Sequence, residues 1–80
     1  MSRFPANGVP IKVQGNLDAF VWEGKRHGID RVVKRWRVDE GWWTERQWRE
    51  YVKVTTETGL LAIIFQDLIT KQWYLQRLYD

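Results

Sequence analysis

The feature that most constrains this chain is the run of residues 60–65, Leu-Leu-Ala-Ile-Ile-Phe, with a turn signal on each side. Six apolar residues are too few for a membrane span or a buried helix, but they suit a strand covered on both faces. Before it, residues 51–56 alternate Val52 and Val54 against Lys53 and Thr55, the period of two expected of a half-buried strand. Glu57-Thr58-Gly59 joins the two, with a Gly able to take the positive φ of a tight loop. After residues 67–72 turn the chain again, residues 73–79 read as a closing strand, so 51–79 is a three-strand meander.

The earlier chain extends the sheet. Ala19, Phe20, Val21 and Trp22 form a strand, Glu23-Gly24-Lys25 a hairpin connection, and the chain returns through residues 26–38, rich in Ile and Val. Along that return, Val32, Trp36 and Val38 fall on one side and Arg31, Arg35 and Arg37 on the other. Val33 and Lys34 break the pattern, which predicts a bulge there. Gly15-Asn16 and Asp39-Glu40-Gly41 mark further turns. Thr44-Glu45-Arg46-Gln47 has the spacing of a helix-capping box, so a short helical turn near 44–49 is compatible with the sequence. Both prolines, Pro5 and Pro10, lie in residues 1–10, which predicts a flexible arm ahead of a single β domain over 11–80, with a short edge strand over 11–13. The fold expected is mainly β: one antiparallel sheet of about five strands, strongly bent or partly closed into a barrel.

Eighty residues give little room for a core, and six Trp, three Tyr and three Phe supply large buried areas in few positions. Trp22, Trp36 and Trp73 are expected in the core, with at least one of Trp42, Trp43 and Trp48 exposed. The absence of Cys excludes disulfides and thiolate chemistry and, in so small a domain, suggests the reducing cytoplasm. No apolar stretch is long enough for a membrane helix.

Catalysis finds few residues to work with. His27 is the one His, there is no Cys, and the one Ser, Ser2, falls in the expected flexible arm, so no nucleophile–base pair or metal-ligand spacing is expected, and neither is a cofactor, metal or enzymatic activity. Charge points to binding instead. From Lys25 to Lys53 there are nine basic and five acidic residues, against four and five elsewhere. Arg35, Arg37, Trp42, Trp43, Trp48 and Arg49 concentrate guanidinium groups and indoles, a mixture enriched at protein interfaces. The same mixture can grip single-stranded nucleic acid, with bases on rings and guanidiniums on phosphates. The alternative for the charges is cross-strand pairing, Arg37 with Glu50 for example. An exposed Trp cluster would serve a homodimer equally well, so the oligomeric state stays open.

The stretch Arg35-Trp36-Arg37-Val38-Asp39-Glu40-Gly41-Trp42-Trp43, with Trp73, Tyr74, Leu75, Tyr79 and Asp80 at the end, resembles a small bacterial family of unknown function. Arg49-Glu50-Tyr51 and the strand ending Phe65-Gln66-Asp67 match as well, so the likeness covers roughly residues 19–80. A related segment looks like the C-terminal tail of ImuB-type proteins, inactive relatives of Y-family translesion polymerases that act as adaptors in bacterial mutagenic repair. The resemblance implies a free-standing adaptor module in DNA-damage tolerance, with a repair or replication protein as partner. It carries over no catalytic residue, and without the polymerase-like body it carries over neither clamp binding nor DNA threading.

Overall fold

The computed structural model describes residues 8–41 and 46–79. Six strands are present: β1 (Val9–Gln14), β2 (Ala19–Trp22), β3 (Lys25–Gly41), β4 (Arg46–Thr56), β5 (Leu61–Asp67) and β6 (Trp73–Tyr79). Each is antiparallel to the next, and β6 returns to β1 to close a barrel. The short edge strand expected over 11–13 is β1, longer at both ends, which brings the count to six against about five. Val9 and Pro10, assigned from sequence to a flexible arm, belong to β1 and face Leu75 and Tyr74 of β6. The rest of the arm, residues 1–7, lies outside the described residues.

Closure depends on two strands that change partners. β1 pairs with β6 through Ile11 and with β2 from Lys12 onward. The Gln72 amide donates to the Ile11 carbonyl at 3.1 Å where the exchange occurs. β3 pairs with β2 through Gly28 and with β4 from Ile29. There the Ile29 N–H donates to the Asp18 carbonyl at 2.9 Å, and the Glu57 N–H to the Gly28 carbonyl at 2.8 Å. At the β2–β3 turn, Glu23 and Gly24 both take positive φ, 54° and 73°. That is the type I′ geometry whose twist matches a two-residue hairpin.

Seven side chains fill the barrel: Ile11, Phe20, Val52, Val54, Ala62, Ile64 and Leu75, none more than 4% exposed. Trp22 and Trp73 pack on this cluster from partly buried positions, in line with their expected core role. At ~25 cal/mol per Å² of apolar surface, each of the larger side chains contributes about 1.5–3 kcal/mol by leaving water.

Trp36 departs from its expected core place, and the reason is the bulge. Val32 faces Val54 of the core, the next registered pair is Lys34 with Lys53, and Trp36 then faces Tyr51. The extra residue, Val33, reverses the alternation, so Lys34, Trp36 and Val38 lie on the outer face. A second register shift falls between Ile29 and Arg31. Residues 46–49 are strand, with β4 in register against β3 from Gly41 and Arg46 inward, so no helical turn covers them. The capping-like Thr44 and Glu45 lie outside the described residues.

The β3–β4 hairpin reaches beyond the barrel. β5 pairs with β4 only as far as Arg49, whereas β3 continues on β4 to Gly41. The molecule is correspondingly elongated, 42 × 27 × 21 Å.

Candidate interaction surface

The two faces of the β3–β4 hairpin have different chemistry. On the face continuous with the barrel interior, Arg35 lies opposite Val52, Arg37 opposite Glu50 and Asp39 opposite Trp48. Glu50 accepts from Arg35 Nη2 at 3.1 Å and from Arg37 Nε at 3.4 Å. The Arg37–Glu50 pairing read from the sequence is therefore present, with Arg35 joining it. The arginine side chains keep 51% and 65% of their exposure, against 16% for Glu50. One half-buried carboxylate thus serves two largely solvated guanidiniums. Its partial burial by itself would raise the Glu50 pKa, but hydrogen bonds and charge from Arg35 and Arg37 outweigh this and hold it below the usual glutamate value.

The outer face carries a row of aromatic rings across four strands. Trp36 stacks on Tyr51 (5.4 Å between centroids), Tyr51 meets Phe65 (5.1 Å), and Phe65 stacks on Tyr74 (5.0 Å). These four are successive partners in register. Phe65 is buried to 1% exposure outside the barrel core, under a guanidinium. The Arg49 guanidinium carbon sits 4.5 Å from its ring centre, and Arg49 Nη1 donates to the Tyr51 hydroxyl at 3.3 Å. The unbroken apolar run of β5 is thereby explained, since Ile64 points into the barrel and Phe65 into the outer row.

Beside this row lies a second one, Lys34, Lys53, Ile63 and Arg77, again successive partners in register. Lys34 and Lys53 stand directly opposite one another, and the Lys34 Nζ lies 5.5 Å from the Trp36 ring centre. Like charges in facing positions destabilise a sheet.

The six residues singled out from sequence do not share one patch. Arg35, Arg37 and the half-buried Trp48 are on one face of the hairpin, and Arg49 is on the other. Adjacent residues of a strand point in opposite directions, which separates Trp48 from Arg49. Trp42 and Trp43 lie outside the described residues. Sequence reasoning missed Lys34, Lys53, Arg77, Tyr51, Phe65 and Tyr74 as a group. The alternation Tyr51-Val52-Lys53-Val54 placed Tyr51 and Lys53 together, but matching them to Phe65 and Arg77 needs the registers of two hairpins.

His27 belongs to β3 and stacks on Phe20 at 5.1 Å, with Trp22 at 6.1 Å. Its Nε2 is buried without a hydrogen-bond partner. Burial, then the charge of Lys25, lowers its pKa. Among the described residues, no group of three or more His, Cys, Asp or Glu is placed to hold a metal, and no helix is long and apolar enough to cross a membrane.

No family model, no curated protein and no solved structure matches this chain.

Proposed function

We propose that the chain is a non-enzymatic adaptor module that docks a partner protein on its projecting β3–β4 hairpin. One observation carries this reading. Beyond Ile29, β3 is paired along one edge only among the described residues, and that free length bears Arg35, Trp36 and Arg37. Arg and Trp are the side chains most often found at the energetic centres of protein interfaces. The hairpin also holds Trp48 and leads into Trp42 and Trp43. The motif resemblance favours a DNA-repair or replication protein as the partner. Affinity capture with wild type and with an Arg35→Ala/Arg37→Ala variant tests this, circular dichroism confirming that both are folded. A partner retained by wild type and lost by the variant is expected. An identical capture profile refutes the reading.

A second reading, direct binding of single-stranded nucleic acid, is favoured by Lys34 facing Lys53 in line with Arg77, beside the aromatic row. A phosphate would relieve that repulsion. It ranks second because the rings mostly stack on one another, leaving few faces for bases. Fluorescence titration with an oligonucleotide at two salt concentrations decides it. Counterion release demands a steep fall in affinity with salt. Binding that is absent, insensitive to salt, or unchanged by Lys34→Glu with Lys53→Glu rejects it.

A further inference from the structure

We infer that the free edge of β3 receives an extended, acidic segment of the partner protein, which pairs with it as an additional antiparallel strand. This rests on the protein-docking reading and specifies its partner chemistry and geometry.

The backbone gives the first argument. Past the register shift between Val32 and Lys34, β3 and β4 run in unbroken antiparallel register to Gly41 and Arg46. In such a ladder alternate residues direct their N–H and C=O groups to opposite edges. Half of these groups between Lys34 and Gly41 therefore face away from β4, where no other strand is paired among the described residues. An open edge in unbroken register is a template for one more strand.

Charge selects the occupant. Within the open length, residues 34–38 hold Lys34, Arg35 and Arg37 and no acidic residue, and Asp39 and Glu40 follow them. Glu50 is divided between Arg35 and Arg37. A second copy of this chain is the competing occupant: self-pairing centred on Trp36 sets Arg35 against Arg37 and is opposed by like charge, whereas self-pairing centred on Val38 sets Arg37 of each copy against Asp39 of the other.

Side-chain alternation then specifies the segment. Arg35 and Arg37 point to one face, and Lys34, Trp36 and Val38 to the other. An added strand satisfies all five with carboxylates opposite Lys34, Arg35 and Arg37 and apolar side chains opposite Trp36 and Val38. Read antiparallel to β3, its pattern is apolar, acidic, apolar, acidic, acidic. Main-chain hydrogen bonds supply affinity, and the charge pattern supplies selectivity.

The test uses the full chain and a fluorescein-labelled peptide, Ser-Val-Glu-Val-Glu-Glu-Ser, followed by anisotropy. Two further peptides carry N-methyl groups on one or the other alternate set of amides, and a fourth replaces Glu by Lys. The acidic peptide should bind. One N-methylated peptide, the one blocked on the edge facing β3, should lose about tenfold or more, and the other should match the parent. The Lys peptide should not bind, and Arg35→Gln/Arg37→Gln should weaken the parent about tenfold with the fold intact by circular dichroism. The inference is overturned if the acidic peptide fails to bind, if both N-methylated peptides bind like the parent, if the Lys peptide binds as well, or if sedimentation shows the free chain already self-associated through this edge. Should a partner protein still be captured through the hairpin in those cases, the docking reading survives and edge addition falls. Loss of both removes both.

Discussion

Replacing Glu50 by Gln removes the charge that holds Arg35 and Arg37 while keeping the shape of the side chain. The two contacts, at 3.1 and 3.4 Å, join a half-buried carboxylate to guanidiniums that keep more than half their exposure. Ion pairs this solvated contribute about 0.2–1 kcal/mol each, so the pair together stabilises the fold by about 1 kcal/mol. In a domain this small the melting temperature should drop by about 4–8 °C. The sign of the pH dependence follows from the direction of the shift. Glu50 titrates below the ordinary value of 4.5 in the folded state, so the folded chain binds fewer protons than the unfolded one near that pH. Its contribution is complete above the unfolded value and is lost as pH falls through the folded one. Urea melts of wild type and variant from about pH 7 to pH 3 should therefore differ at neutral pH and converge in acid. The same substitution frees both guanidiniums for the acidic peptide, so binding should tighten several-fold while stability declines. A variant as stable as wild type at pH 7, or a stability gap that persists undiminished at pH 3, refutes the reasoning.

Tyr51→Ala removes the ring joined to both Trp36 and Phe65 and opens the outer row. With about 0.5–1.5 kcal/mol for each ring pair beyond the apolar area lost, thermal melts should show about 2–3 kcal/mol of destabilisation. His27 should make the fold sensitive to mild acid. Its folded pKa is below 6.5, so stability should hold above that pH and decline below it, and His27→Phe should remove that limb from pH-dependent melts.

The strand pattern was legible because hydrophobic alternation and turn residues agree at most positions. β2 emerged with its observed bounds, Ala19–Trp22, since two turn signals frame an apolar run. The Arg37–Glu50 pair was legible because it needs only the register of one hairpin. β1 was harder: Pro10 and the nearby Gly8 suggested a loose end, yet a proline without an N–H fits where β1 meets β6 beside its change of partner. The Val33–Lys34 breach was visible, but its consequence was not. A bulge reverses the inward and outward sense of every later residue, which moved Trp36 from the expected core to the outer row and turned Arg35 and Arg37 to the face continuous with the barrel interior. The cationic and aromatic rows draw on four strands, and their assembly depends on non-local register that alternation within one strand does not encode.

Residue-resolved amide hydrogen exchange on the free protein tests most directly whether β3 offers an open edge. Along Lys25–Gly28, where β3 lies between β2 and β4-side contacts at the barrel, slow exchange is expected wherever the amide enters a ladder. From Lys34 to Gly41 protection should alternate, slow where the N–H meets β4 and fast at the residues between. Uniformly slow exchange across that stretch in dilute protein would mean the edge is already occupied, and the docking surface described here would not exist.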